Sequence, residues 1–122
     1  AGYIKVYISL YQAQGSNLAI WQNMLKSLAQ YSVTRPVYAD EAHIRELVRS
    51  KPDPDKQAYA VVAIKEDDIM HLTKPAVDQF GHELLTLKEG AVQLDNIIEF
   101  VHANQKHYLF RNNILILKDT VK

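Results

Sequence analysis

The side chains best suited to binding a ligand lie on two predicted strands near the start of the chain. Tyr7, Ser9 and Tyr11 share one face of the first strand, and Arg35 and Tyr38 belong to the second. Tyrosine rings stack on flat groups while their hydroxyls stay near water, and a guanidinium binds phosphate through two parallel hydrogen bonds. If the strands are neighbours, these five residues form a groove for a base and a phosphate. The alternative is that the tyrosines pack against a helix.

Other patterns of reactive residues are weaker. The five histidines lack the HExxH spacing that places two metal ligands on one helical face, so we predict no metal site. The acidic run from Glu66 to Asp68 is typical of a solvated turn at a strand end rather than of a catalytic cluster.

Phosphate-binding loops need several glycines close together, and the four glycines of this chain are isolated. Neither a P-loop nor a Rossmann fingerprint is present. The phosphates of a bound nucleotide would therefore be held by side chains, with Arg35 and Arg111 as the candidates. The alternative is that both are ordinary surface arginines.

The composition is that of one globular domain. The chain has 122 residues, of which 48% are hydrophobic and 23% charged, and a domain of this size buries roughly two-thirds of its unfolded surface. Fourteen basic residues balance fourteen acidic ones, so we expect no nucleic-acid partner. Cysteine is absent, and the longest apolar runs are strand-length. We expect a single α+β domain, residues 1–122, that is itself monomeric.

Periodicity predicts the elements that position these residues. Pro36 cannot donate a hydrogen bond to a neighbouring strand, which predicts an edge position or a bulge for the second strand. The first half of the chain is predicted to form a strand at 3–11, a helix from Ser16 or Asn17 to about 30 with Trp21 in the core, a strand at 32–38 and a helix capped by Asp40. A surface loop at 51–56 and a strand at 58–65 follow. The second half is predicted to form a loop at 73–83, a strand at 84–88, a third helix at 94–104, and a hairpin of 106–111 with 114–119.

Three segments carry a family resemblance: VYISLYQAQGSNLAIWQNMLKSL, then VTRPVYADEAHIRELV, then AYAVVAI. Together they resemble the C-terminal half of the IcmQ family, components of the Dot/Icm type IVB secretion system of intracellular bacterial pathogens. The resemblance covers most of the chain, and it implies that the chain is a C-terminal fragment of a longer protein. Residues absent here would then pair with the partner IcmR and with membranes.

The resemblance also implies a fold and a ligand. The C-terminal part of the family is akin to ADP-ribosyltransferases, with a split mixed sheet, about three packed helices and a site that binds NAD. The residues expected to bind NAD are Tyr7, Ser9, Tyr11, Arg35 and Tyr38. The expected location is the bacterial cytoplasm, peripheral to the inner membrane.

The chain departs from active transferases because it has neither a Ser-Thr-Ser strand nor a Glu-x-Glu pair. Transfer of ADP-ribose requires a carboxylate that stabilises the charged ribose in the transition state. We therefore predict a domain that binds NAD without turning it over. Two alternatives stay open: a transferase that uses an atypical carboxylate from among Glu83, Glu89 and Glu99, or a plain protein-interaction domain.

Replacing Arg35 with Ala is expected to weaken dinucleotide binding by about 1 to 3 kcal/mol, the cost of losing a charge-assisted hydrogen bond. The melting temperature should stay nearly unchanged. Calorimetric titration of both proteins with NAD measures the difference, and equal affinities would remove Arg35 from the site.

Overall fold

A computed structural model describes residues 2–31, 36–67, 73–77, 79–81, 83–87, 92–103 and 105–118. These residues contain two α-helices, eight strands and two short 3-10 turns, at Pro54–Lys56 and Leu94–Asn96. In chain order the elements are β1 (Tyr3–Tyr11), α1 (Leu18–Tyr31), β2 (Pro36–Tyr38), α2 (Glu41–Arg49), β3 (Gln57–Lys65), β4 (Thr73–Val77), β5 (Glu83–Leu87), β6 (Ile97–His102), β7 (Lys106–Arg111) and β8 (Ile114–Leu117).

The strands form one sheet in the order β4-β5-β2-β1-β3-β6-β7-β8, and every neighbouring pair is antiparallel. Separate apolar clusters, one around α1 and the other around α2, cover the two faces of the sheet. The α+β class is confirmed. The predicted mixed sheet is wrong for the described strands, as is the third helix. No helix in these ranges is long and apolar enough to cross a membrane.

Strand β1 has the predicted bounds because its apolar residues alternate without interruption. Val6, Ile8 and Leu10 are buried in the cluster around α1. On the opposite face, Tyr7 belongs to the cluster around α2. A strand buried on both faces along its middle lies at the centre of a sheet, and β1 pairs with both β2 and β3.

Both helices begin at side-chain caps. The Asn17 Oδ1 accepts a hydrogen bond from the backbone N–H of Ala19 at 3.1 Å, which selects Asn17 over Ser16 as the cap of α1. Asp40 caps α2 by accepting from the N–H of Ala42 at 2.9 Å. The inward face of α1 includes the fully buried Trp21, as predicted.

Residues 97–102 form strand β6 instead of part of a helix, and a bulge explains the error. Pairing between β3 and β6 shifts register between Val61 and Val62, which breaks the strict alternation of β6. Ile97 and Phe100 consequently face the α1 side, while Ile98 and Val101 face the α2 side. Each same-face pair is therefore three residues apart, a spacing that imitates a helix although isoleucine and valine favour strands.

Two proline positions also differ from prediction. Strand β2 lies between β1 and β5, so it is interior, and Pro36 is tolerated as its first residue. The predicted loop at 73–83 contains strand β4, which is the terminal strand of the described sheet. Pro75 lies in that strand, which agrees with the confinement of proline within sheets to edge strands, strand starts and bulges.

The final hairpin is confirmed. Asn112 and Asn113 have φ angles of 52° and 63°, the left-handed values that a tight two-residue turn requires. The outer edge of β8 is partly covered by α1, because the Gln22 Oε1 accepts from the N–H of Leu115 at 2.9 Å. That contact protects one edge amide from pairing with another chain.

The turn after β1 packs tightly on the loop before β3. The indole N–H of Trp21 donates to the Gly15 carbonyl at 2.6 Å, and the Gln12 N–H donates to the Lys56 carbonyl at 3.0 Å. A Cβ on Gly15 would lie 2.0 Å from the Asp55 carbonyl oxygen. Only glycine allows this approach of two backbones.

Replacing Gly15 with Ala should therefore destabilise the fold by at least about 1 to 3 kcal/mol, the usual cost of forcing extra atoms into a packed region. Gly2→Ala is the matched control because nothing lies within 4 Å of its Cβ position. Chemical denaturation of the two variants measures the difference. Equal free energies of unfolding would show that the two loops separate at little cost.

Candidate functional site

One row of paired residues runs across six strands on the face of the sheet that carries α2. Pairing registers place each residue opposite the next, from β2 through β1, β3, β6 and β7 to β8. Residues paired directly across antiparallel strands project from the same face. The row consists of Tyr38, Tyr7, Val61, Glu99, Leu109 and Ile116.

Helix α2 covers one half of this row. It packs on β1, β2 and β3, and its Ile44 and Val48 form one apolar cluster with Tyr7, Tyr38 and Val61. Tyr7 is 8% exposed and Tyr38 is 2% exposed. The other half of the row, from Glu99 to Ile116, lies beyond this cluster.

The predicted binding residues thus differ in their exposure to solvent. Tyr7 and Tyr38 are direct neighbours across β1 and β2, but both pack under α2, as in the alternative considered above. Ser9 is half-buried, and Tyr11 is 52% exposed at the end of β1. Arg35 lies outside the described residues. The predicted site is therefore brought together in part, and its binding role stays a prediction.

A polar cluster that the sequence analysis missed lies beside Tyr7. The Tyr59 hydroxyl donates to the Glu41 carboxylate at 2.9 Å and accepts from the Arg45 Nε at 3.4 Å. The ring of Tyr59 meets that of Tyr7 edge to face, with centroids 6.1 Å apart. Glu41 and Arg45 are four residues apart on a helix, a spacing that indicates an ion pair. Their link to Tyr59 depends on packing that no local pattern encodes.

Burial sets the acidity of both tyrosines. It raises the pKa of Tyr59 to about 12, because the charged phenolate would lose its hydration. Burial also raises the pKa of Tyr7, and the negative charges of Glu41 and Glu99 add to that increase. Glu99 is therefore close enough to act electrostatically on the covered half of the row.

A groove of about 690 Å³ lies where β6 begins and β7 ends, next to the uncovered half of the row, and Ile97 and Phe110 of the cluster around α1 also line it. Its walls come from the turn before β6, from β6 itself, and from the end of the hairpin between β7 and β8. Apolar, acidic, cationic and amide side chains all contribute. The lining residues are Leu94, Asp95, Ile97, Ile98, Glu99, Leu109, Phe110, Arg111, Asn112 and Asn113.

Strand geometry places the charges of the groove. In β7, Tyr108 and Phe110 belong to the cluster around α1, so Leu109 and Arg111 project from the opposite face. Glu99 is paired with Leu109, which makes Arg111 its diagonal neighbour on that face. The Lys118 ammonium lies 2.9 Å from the Glu99 carboxylate. Arg111 was already a candidate from the sequence. The groove itself was not predicted, because residues 94–104 were expected to form a helix.

The contacts of His102 are those of a residue that supports the fold. His102 Nε2 forms a hydrogen bond with the Asp55 carbonyl, and its ring contacts Trp21 and stacks on Phe100. Across the described ranges, no group of three or more His, Asp or Glu side chains is arranged to hold a metal ion.

Replacing Tyr59 with Phe should cost about 1 to 2 kcal/mol at pH 7, because Glu41 and Arg45 lose a shared partner. The pKa of Tyr59 is about 12 in the folded chain and about 10 in the unfolded chain. The stability that this difference contributes is fully present below about pH 10, and it is lost as the pH rises towards about 12. Between about pH 10 and 12, the free energy of unfolding should therefore fall less for Tyr59→Phe than for the unmodified chain. Denaturation at pH 7 and above pH 10 tests both effects, with exposed Tyr11→Phe as the control. Parallel pH profiles for the variant and the parent would contradict the assignment.

Comparison with known proteins identifies the family. The family model for the Dot/Icm secretion system protein IcmQ matches residues 1–118. No curated protein matches the chain. The family resemblance drawn from the sequence is confirmed. Because the match spans nearly the full length, the chain belongs to the IcmQ family of Dot/Icm secretion system proteins.

Proposed function

We propose that this chain is a non-catalytic NAD-binding domain that regulates a component of the Dot/Icm type IVB secretion system, and that NAD binds in the groove beside β6 and β7. The observation that carries the proposal is the mixture of side chains in one groove of about 690 Å³. Ligand pockets for small molecules and cofactors span about 300 to 1,000 Å³, and they combine apolar walls with a few placed polar groups.

Each part of a dinucleotide has a complementary group there. The Arg111 guanidinium suits the pyrophosphate, because its planar donors bind two oxygens at once. Asn112 and Asn113 offer amide donors and acceptors beside it. Ile98 and Leu109 supply apolar surface against which a flat ring can lie.

Rigidity favours this position over a loop. Arg111 ends β7, and it is paired with Ile114 of β8 across a two-residue turn. Groups held on a rigid scaffold lose little conformational entropy when a ligand binds. The same turn fixes both asparagines, since each occupies a left-handed conformation.

Binding without turnover fits the state of Glu99. Of the three acids considered as atypical catalysts, Glu89 lies outside the described residues, and Glu99 lies in the groove. The Glu99 carboxylate is paired with the Lys118 ammonium at 2.9 Å. Pairing with a cation reduces the negative charge available to a developing oxocarbenium ion. The pyrophosphate and ribose contacts remain possible, since neither requires a free carboxylate next to the glycosidic bond.

The proposal gives the domain a role within a larger protein. Pairing with IcmR and contact with membranes would belong to other parts of that protein, in the bacterial cytoplasm beside the inner membrane. NAD bound here would stabilise one conformation of the domain and so bias those contacts.

A second candidate function is a protein-interaction domain. Three of the four side chains of β8 are exposed apolar groups: Ile114 at 53%, Ile116 at 48% and Leu117 at 62%. Clustered exposed apolar side chains of this kind are typical of surfaces that bind partners. A protein could bind at β8 while NAD occupies the adjacent groove, so the two functions are compatible. Only a chain that does not bind NAD would favour the protein-interaction function over the first proposal.

Calorimetric titration should detect NAD binding by the unmodified chain, and Arg111→Ala should weaken it by about 1 to 3 kcal/mol through loss of a charge-assisted contact. Arg49→Ala is the matched control, because Arg49 is an exposed arginine at the end of α2. Arg35→Ala, measured in parallel, decides between the two candidate phosphate contacts. Incubation with excess protein over hours should release no nicotinamide.

Absence of any NAD binding would overturn the proposal. Release of nicotinamide that is abolished by Glu99→Ala would instead establish a hydrolase or transferase. An effect of Arg35→Ala without one of Arg111→Ala would move the phosphate contact from the groove to Arg35.

A further inference from the structure

Two carboxylates share the groove with Arg111, and the proposed function leaves them without a role. Asp95 lies in the turn before β6, and Glu99 lies within β6. From this arrangement we propose that Asp95 and Glu99 select a dinucleotide with free ribose hydroxyls and exclude one that carries a 2′-phosphate. The inference rests on the proposed function, and it adds the basis on which the groove distinguishes NAD from NADP.

The first step is position. Glu99 pairs with Leu109, and Arg111 is two residues further along β7. Diagonal neighbours of this kind lie about 7 to 8 Å apart. With the pyrophosphate on Arg111, the adenosine ribose, which carries the extra phosphate in NADP, would lie next to Glu99, since both side chains project from the same face of the sheet.

The second step is hydrogen-bonding capacity. An ionised carboxylate only accepts hydrogen bonds, and its two oxygens offer about four sites. Lys118 donates to Oε1 of Glu99, which leaves capacity for the two hydroxyls of a ribose. Glu99 is also 23% exposed at its side chain, so a ligand in the groove can reach it.

The third step is charge. A phosphate monoester carries about −1.5 to −2 charges at pH 7, and a 2′-phosphate would meet two carboxylates at short range. Among the residues that the structure describes, Arg111 is the one cationic residue of the groove lining, and in this arrangement it binds the pyrophosphate. Lys118 is paired with Glu99 at 2.9 Å, so recruiting it to a 2′-phosphate would leave that carboxylate unpaired beside the added charge.

The sheet gives a supporting observation. The negative charge of Glu99 contributes to the raised pKa of Tyr7, which lies two strands away in the same row. A phosphate bound on Arg111 would lie nearer to Glu99 than Tyr7 does, so the same charge would oppose a second phosphate there.

Calorimetric titration of the unmodified chain with NAD and with NADP tests this inference. We expect NAD to bind at least about tenfold more tightly, as like charges at a few ångströms in a partly solvated site require. Glu99→Gln and Asp95→Asn keep the side-chain shape and remove one charge each, so each should narrow the NAD to NADP ratio by improving NADP binding. Glu46→Gln, an exposed acid on α2, should leave the ratio unchanged.

The outcomes separate this inference from the function on which it rests. Equal affinity for NAD and NADP, or tighter binding of NADP through Lys118, would overturn the selection by carboxylates while NAD binding stands. An unaltered ratio in both Glu99→Gln and Asp95→Asn would also overturn it. Failure of NAD to bind would overturn both proposals. Because Asp95 is exposed, Asp95→Asn gives a result even if Glu99→Gln disturbs the sheet.

Discussion

The architecture depends on a mismatch between the width of the sheet and the length of the helix that covers one of its faces. Helix α2 has nine residues, which makes it about 13 to 14 Å long at 1.5 Å per residue. Strands lie about 4.8 Å apart, so such a helix covers about three of them. It covers β2, β1 and β3. Beyond those three strands, β6 and β7 carry Glu99, Leu109 and Arg111 outside the apolar cluster around α2, and the groove forms there.

The sequence predicted elements whose signals are local. Unbroken alternation defined β1, side-chain caps defined the starts of both helices, and the Asn112-Asn113 turn defined the last hairpin. It failed where pairing with a distant strand changes the local pattern. The register shift opposite Val61 gave β6 the spacing of a helix. Pro75 was taken for a loop residue because the terminal position of β4 depends on the order of the whole sheet.

The site was harder to predict than the fold for the same reason. The sequence grouped Tyr7 and Tyr38 on the condition that their strands are neighbours, and the two residues are paired across β1 and β2. It did not establish that α2 lies over them, because helix docking is decided by Ile44 and Val48 together with the opposite sheet surface. Arg111 was a candidate phosphate contact, but the sequence did not indicate which residues surround it. Its acidic neighbours come from a segment more than ten residues earlier, and only strand pairing brings the two together.

The central claim is that NAD binds on the part of the sheet that α2 leaves uncovered. The most direct test is amide-resolved NMR of the isotopically labelled chain during titration with NAD. We expect the largest shift changes within residues 94–99 and 109–113, whereas the signal of the Trp21 indole N–H, which is buried on the α1 side, should stay in place. Changes centred on Trp21 and the α1 face, or an unaltered spectrum at saturating NAD, would contradict it.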